Sequence, residues 1–332
     1  MTIPAKPARA LGLCSGGLDS TLAALVLRKQ GVAVECVTFE TPFFSAANAR
    51  RAANITGIPL TVNNITDEYV AMLRNPHCGY GQNMNPCLDC HALMFRKAAD
   101  IMRARGFDFL FSGEVVGQRP MSQTKPSLRY VEKNSGCDGD ILRPLSAKLL
   151  PVTAAEKKGL VDRTQLLDIA GRSRKRQIQL AEDFGLTEYP APAGGCLLTE
   201  EGFSRRLRDL FQHQKSVSEN ELHLLRYGRH FRLKGRAKLI VGRDQTDNDN
   251  LLRHHDPKAD TVIRLKKFPG PIALVPGGSS KDVITLAASI CAGYSRAPAF
   301  TPVEAAVTSA GSNEIIRVLG LPPSDVRKFM IK

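Results

Sequence analysis

Residues 11–20 read Leu11-Gly12-Leu13-Cys14-Ser15-Gly16-Gly17-Leu18-Asp19-Ser20. An apolar run ends in a Ser-Gly-Gly turn, and Leu22, Leu25, Val26 and Leu27 continue with helical spacing. A strand, a glycine turn and a helix N-terminus in that order suit an anion. Gly16 and Gly17 let the backbone approach a phosphate, and the first helical N–H groups and the positive end of the macrodipole face it. Asp19 and Ser20 can cap the helix or touch a nucleotide and its metal ion. The Gly-Lys-Ser/Thr ending of a Walker P-loop is absent, and a capped turn with no ligand is the plainer alternative.

Outward from this turn, Ala33 to Phe39 and Ile58 to Val62 read as strands, and Ala46 to Thr56 and Leu93 to Arg105 as helices. Phe107 to Phe111 is a further apolar strand. The alternation predicts an α/β fold, a doubly wound parallel sheet with helices on both faces. Ligands of such sheets bind beyond the C-terminal strand ends, where Ser15 to Ser20 fall. Val161 to Gly185 reads as helical with a break around Gly171. The Pro/Gly-rich run from Tyr189 to Cys196 marks a junction. It separates a catalytic domain over residues 1–196 from a second, smaller α+β domain over 197–332. The latter starts with an amphipathic helix, Phe203 to Phe211, and contains a strand at Ala237 to Val241.

A chain of 332 residues with 43% hydrophobic content can bury a sizeable core. No stretch approaches the length that spans a bilayer, and the first ten residues have no signal-peptide core. The expectation is a cytoplasmic protein with no membrane partner. Its net charge of +14 points to a polyanionic partner. Of that surplus, eight charges fall in residues 197–332 and six in 1–196. Candidate phosphate contacts are Arg172, Arg174, Lys175 and Arg176, which a solvated helix end would explain equally. The acid-free run of Arg226, Arg229, Arg232, Lys234, Arg236 and Lys238 supplies the rest. With no Trp and 6% aromatics, a broad base-stacking platform is not expected.

Ser15-Gly16-Gly17-Leu18-Asp19-Ser20 resembles the PP-loop of the ATP-pyrophosphatase superfamily. The resemblance implies an adenine nucleotide α-hydrolase-like domain holding ATP and Mg²⁺ at Ser15, Gly16, Gly17, Asp19 and Ser20. It also implies cleavage between the α and β phosphates and adenylation of a carbonyl oxygen. Ser112-Gly113-Glu114-Val115-Val116-Gly117-Gln118, followed by Ser122-Gln123-Thr124, is similar to the Thr-Gly-Glu-Ser-Leu-Gly-Gln…Ser-Gln-Thr signature of tRNA 4-thiouridine synthases. Here Ser112 replaces Thr, and Arg119-Pro120-Met121 is inserted. Arg143-Pro144-Leu145 looks like the Arg-Pro-Leu segment downstream of that signature. This resemblance adds Gly113, Glu114 and Gln118 to the ATP site and makes a tRNA uracil the acceptor. Those synthases usually carry an RNA-binding region ahead of the PP-loop; here the basic C-terminal segment would replace it. Val241-Gly242-Arg243-Asp244, leading through Asn248-Asp249 to Leu251, resembles the core of NFACT-R-type RNA-binding domains.

Asn85-Pro86-Cys87-Leu88-Asp89-Cys90-His91 leads into the helix expected from Leu93, whose positive end favours thiolates. Four readings stay open. A c-type haem attachment needs export to an oxidising compartment. Zinc needs two further ligands, for which His77 and Cys78 are available. A redox pair lacks a thioredoxin-like context. An iron–sulfur cluster needs a third, distant cysteine. Several PP-loop tRNA thiolases carry a three-cysteine cluster, and that resemblance implies a 4Fe-4S cluster on Cys87, Cys90 and Cys196 with one iron open. Gly194-Gly195-Cys196 also resembles the stretch around the second active cysteine of tRNA 2-thiouridylases, where two cysteines carry a persulfide. Either way Asp19, Cys87, Cys90 and Cys196 are the catalytic candidates, and sulfide or a cysteine desulfurase donates sulfur. Cys14 and Cys36 read as buried strand residues, whereas Cys78, Cys137 and Cys291 have no paired spacing. The competing functions are an ATP-pyrophosphatase that forms an amide or amidine and an RNA-binding protein with a vestigial PP-loop. A homodimer is compatible with either.

Overall fold

The computed structural model describes residues 7–191 and 195–331; Pro192, Ala193 and Gly194 of the expected junction lie outside the described residues. The chain folds as two compact units, residues 1–199 and 200–332. The first is built on five parallel strands, β1 (Arg9–Leu13), β2 (Ala33–Glu40), β3 (Leu60–Asn64), β4 (Phe109–Ser112) and β5 (Ile141–Leu142), in the order β3-β2-β1-β4-β5. Its helices are α1 (Leu18–Lys29), α2 (Ala47–Thr56), α3 (Thr66–Arg74), α4 (Cys87–Arg105), α5 (Lys125–Ser135), the short α6 (Ala154–Lys157) and α7 (Lys175–Asp183). The strand order reverses between β1 and β4. Right-handed crossovers therefore put α1 and α4 on opposite faces and open a crevice beyond the ends of β1 and β4.

Two close approaches shape that crevice. Gly16 has φ +75° and faces the backbone of Asn48 in α2, 2.2 Å from where a Cβ would stand. Gly113, just past β4, lies against the first turn of α1. A Cβ there would meet the Ser20 nitrogen at 2.4 Å. Leu18, Leu22 and Leu27 of α1 and Phe109 and Phe111 of β4 are buried in one core.

Two expectations need correction. The cysteine-bearing helix begins at Cys87 rather than Leu93. Pro86 serves as its N-cap residue, and the mixed run Cys-Leu-Asp-Cys-His carries no apolar periodicity to reveal it. Between Val161 and Gly185 only a short 3₁₀ turn at Arg163–Gln165 and α7 are helical. Gly171 takes φ +82°, and Val116 bridges to Ala170 beside it.

The second unit is a six-stranded antiparallel sheet, in the order β11-β10-β8-β9-β7-β6. Its strands are β6 (Arg229–Arg232), β7 (Lys238–Val241), β8 (Thr261–Leu265), β9 (Ala273–Val275), β10 (Val303–Ser309) and β11 (Ser312–Val318). Its helices are α8 (Glu201–His213), α9 (Glu219–Leu224), α10 (Gln245–His254), α11 (Lys281–Gly293) and α12 (Pro323–Val326). The polar run after Val241 is structural. Asp244 caps α10 through the Asp247 N–H at 2.9 Å, and buried Asp247 accepts from the Gly228 and Arg243 N–H groups. Asn248 Oδ1 accepts from the Ile272 N–H at 2.9 Å. No described helix is long and apolar enough to cross a membrane.

Gly16 and Gly17 are adjacent, yet their backbones differ. Gly17 has φ −74°, and its nearest neighbour to a Cβ is the Ser15 hydroxyl at 3.5 Å. In urea unfolding, Gly16→Ala is expected to cost about 2 kcal/mol or more. Gly17→Ala at the helix N-cap should cost about 1 kcal/mol or less.

Candidate active site

The first N–H groups of α1 have no intrahelical acceptors, and Gly17 at the N-cap offers no side chain to them. The Gly17 carbonyl accepts from the Ser20 hydroxyl at 2.9 Å, the Thr21 hydroxyl at 3.1 Å and the Thr21 N–H at 3.1 Å. Ser20 is thus turned back onto the helix, while Ser15 is exposed. Asp19 Oδ2 accepts from the Gln118 amide at 2.7 Å, and Gln118 Oε1 accepts from buried Gln177 at 3.2 Å. That pair of bonds fixes which end of the Gln118 amide faces Asp19. Asp19 Oδ1 is buried with no hydrogen-bond partner. An orphaned carboxylate oxygen beside a helix N-terminus fits a hard cation travelling with a phosphate.

Glu114 lies beyond β4 and is buried. Its Oε1 accepts from His91 Nδ1 at 3.0 Å, and its Oε2 from Arg143 Nε at 2.9 Å and the Ser112 hydroxyl at 3.1 Å. Buried Arg143 also pairs with Glu132 of α5. Burial alone would push the Glu114 carboxyl up. The Arg143 charge and the His91 and Arg143 hydrogen bonds outweigh it and hold the carboxyl at about 2. His91 and Arg143 belong to motifs visible in the sequence, yet neither was assigned to the site there. The sequence signal was their place within the cysteine segment and the Arg-Pro-Leu segment.

Cys87 and Cys90 occupy the first turn of α4, and the half-buried Cys196 comes to the same place from residues 195–199. The Leu197 N–H donates to the Phe43 carbonyl at 3.3 Å, and Asn83 donates to the Thr199 carbonyl at 2.8 Å. Asn85 donates to Cys87 Sγ at 3.4 Å. Tyr69 is buried beneath them, packed between the rings of Phe43 and Phe44 at 5.5 and 5.2 Å, with its hydroxyl on the Cys90 thiol. Burial pushes the Cys90 thiol up to about 12. The Tyr69 hydrogen bond opposes that rise, and charge on Cys196 and Cys87 adds to it. Burial also raises the Cys196 thiol. Tyr69, Asn83 and Asn85 had no spacing signal that could mark them.

Among the described residues, the group of three donor atoms lying within 4.8 Å of one another is His77, Cys78 and Asp89. His77 and Cys78 therefore do not complete a site with Cys87 and Cys90. Among the described residues, Cys87, Cys90 and Cys196 do not form a group with all three sulfurs within 4.8 Å of one another. Ligands to separate irons of one cluster need a wider spacing than that. Cys14 and Cys36 are buried with sulfurs 2.6 Å apart, and Cys137 and Cys291 are buried elsewhere.

The basic residues divide by burial. Lys234 and Arg236 are exposed on a 3₁₀ turn, as is Arg226 after α9. Lys238 is buried 3.5 Å from Asp209, which also takes Arg232 Nε at 3.2 Å. Burial brings the Lys238 ammonium down to about 8, with Asp209 opposing. Lys238 is a structural cation, which corrects its assignment to RNA; β7 is buried along its whole length. Arg229 is partly buried over the Tyr294 ring at 4.7 Å. In the first unit Arg172 and Lys175 are exposed, Arg174 is half-buried at the α7 N-cap, and Arg176 pairs with Asp168 at 2.7 Å.

Two family models match the chain. One, described as thiamine biosynthesis protein (ThiI), covers residues 6–149, and the other, NFACT protein RNA binding domain, covers 228–330. The first segment is thus similar to ThiI and the second to the NFACT RNA-binding domain. The tRNA-specific 2-thiouridylase MnmA 1 of Syntrophus aciditrophicus is 27% identical over 62% of this chain and 56% of its own length. A probable tRNA sulfurtransferase of Lachnospira eligens is 30% identical over 41% of this chain and 35% of its own. A 4-thiouridine synthetase–RNA complex with bound ATP aligns at 21% identity and a TM-score of 0.34, over 54% of this chain and 52% of that one. The chain spans about half the length, or less, of these curated relatives.

The Glu114 network sets an acid limit. A carboxyl held low in the fold stabilises it fully above its ordinary value of 4.5, and that contribution disappears as pH falls through about 2. Glu114→Gln is expected to lose about 3 kcal/mol in urea unfolding at pH 7. The difference from wild type should shrink between pH 4.5 and pH 2.

Proposed function

We propose that this protein is an ATP-dependent tRNA thiouridine synthase, with the catalytic part in residues 1–196 and an RNA grip in 197–332. The supporting observation is the His91–Glu114 contact, which joins the cysteine-bearing turn of α4 to the loop that lies against the phosphate turn. The β and γ phosphates of ATP would sit on the Gly16–Gly17 turn and the N–H groups of α1, and Asp19 would hold the accompanying Mg²⁺. A uracil oxygen attacks the α-phosphate, pyrophosphate departs, and the oxygen becomes part of an adenylate. A sulfur nucleophile then adds to the same ring carbon, and AMP leaves with the former uracil oxygen. Cys87, Cys90 and Cys196 fit a 4Fe-4S cluster, which would supply an open coordination position for sulfide from an external donor or a cysteine desulfurase. His91 and Glu114 hold the first turn of α4 in place while Tyr69 and its aromatic neighbours close the site from below. The ThiI match over 6–149 and the Gly113 to Thr124 segment favour 4-thiouridine. The 2-thiouridylase relatives favour the other oxygen.

Nucleoside mass spectrometry of tRNA from a reconstituted reaction tests this and separates the two products. Cys87→Ser, Cys90→Ser and Cys196→Ser should each lower thiolation about a hundredfold or more while ATP–pyrophosphate exchange persists. Asp19→Asn should lose both. Thiolation that survives all three cysteine changes would contradict the reading, as would activity on a carboxylate acceptor without RNA. For the grip, Lys234→Ala with Arg236→Ala should weaken tRNA binding and reduce the salt slope by about 2. Lys238→Ala should act on stability instead.

A further inference from the structure

A second donor cluster stands beside the cysteine turn and has no part in the proposed reaction. His77 and Cys78 are exposed in the segment between α3 and α4, and Asp89 is buried in the first turn of α4. One donor atom from each lies within 4.8 Å of the others. A tetrahedral ion with bonds of about 2.0–2.3 Å sets such donors roughly 3.3–3.8 Å apart, so a closure of about 1 Å completes it. His77 and Cys78 are exposed, and rotation of their side chains can supply that movement.

Asp89 is the reason a cation is needed. Its Oδ2 accepts from the Cys78 N–H at 2.8 Å and its Oδ1 from the Tyr130 hydroxyl at 3.2 Å. Both partners are neutral, and no Lys, Arg or His nitrogen lies within ion-pair distance of it among the described residues. A buried carboxylate without a counter-charge is costly. The same two bonds orient the carboxylate, as outer partners do around a metal ligand. Tyr130 also bonds His77 Nδ1 at 3.0 Å, so one hydroxyl from α5 steadies two of the three donors.

We propose that His77, Cys78 and Asp89 bind a single zinc-type divalent cation, with the fourth position open to water, and that this ion fastens the 75–86 segment to α4. One imidazole nitrogen, one thiolate and one carboxylate oxygen suit Zn²⁺ far better than Mg²⁺ or Ca²⁺. Binding releases the Cys78 thiol proton to solvent and changes no oxidation state.

The test uses the full chain carrying Cys87→Ser, Cys90→Ser and Cys196→Ser, so that the three neighbouring thiols cannot hold the metal; Cys14, Cys36, Cys137 and Cys291 are buried. After incubation with zinc sulfate and desalting, elemental analysis should find about one zinc per chain. Adding His77→Ala, Cys78→Ser or Asp89→Asn should lower retained zinc about tenfold or more. Cobalt in place of zinc should give a near-ultraviolet thiolate charge-transfer band that Cys78→Ser removes. Far-ultraviolet circular dichroism of the metal-free variants should match that of the metal-free parent. Zinc absent from the triple-serine chain, or retained after His77→Ala and Cys78→Ser, would overturn the proposal.

Discussion

A single buried carboxylate joins three parts of the first unit. Glu114 follows β4, His91 lies in the first turns of α4, and Arg143 follows β5. Glu114 buried alone would be protonated, and Arg143, almost without solvent exposure, would be an uncompensated charge. With both ionised and hydrogen-bonded, the end of β4 becomes a rigid post. On one side of it Gly113 lets α1 approach to within van der Waals contact. On the other side His91 anchors the helix that carries Cys87 and Cys90. The placement of the glycine turn relative to the thiol pair is thereby tied to the sheet.

The parallel sheet and the phosphate turn were legible in the sequence for one reason. Buried parallel strands read as nearly continuous apolar runs, and the turn between β1 and α1 requires glycine at a left-handed position. Cys87 and Cys90 stand out in the sequence through their spacing and Cys196 through a family resemblance, but the start of α4 does not. A helix nucleated on Cys-Leu-Asp-Cys-His has no amphipathic stripe in its first turn. His91 and Arg143 were visible within motifs, but their pairing with Glu114 is a tertiary contact that no local pattern encodes. Tyr69 was wholly silent, since a tyrosine in a short helix gives no sign that its hydroxyl will meet a cysteine.

Charge was read with similar limits. A run of six cations without an acid looks like one surface. In the fold it alternates between exposed turn residues, Lys234 and Arg236, and inward-facing strand residues of which Lys238 is fully enclosed. The place of β7 in the sheet decides this, because all four of its residues, Lys238 to Val241, are buried. The partner of Lys238 is Asp209 in α8, distant in sequence. The exposed positive surface is therefore smaller than the count of basic residues suggests.

The central claim is that the phosphate turn activates a uracil oxygen as an adenylate. It is tested most directly by following that oxygen. A tRNA substrate carrying ¹⁸O at uracil O4, and a second carrying it at O2, would be thiolated and the released AMP analysed by mass spectrometry. The account predicts AMP bearing one ¹⁸O in its phosphate from one of the two substrates, with unlabelled pyrophosphate from both. AMP without label from either substrate, or ADP in place of AMP, would contradict it.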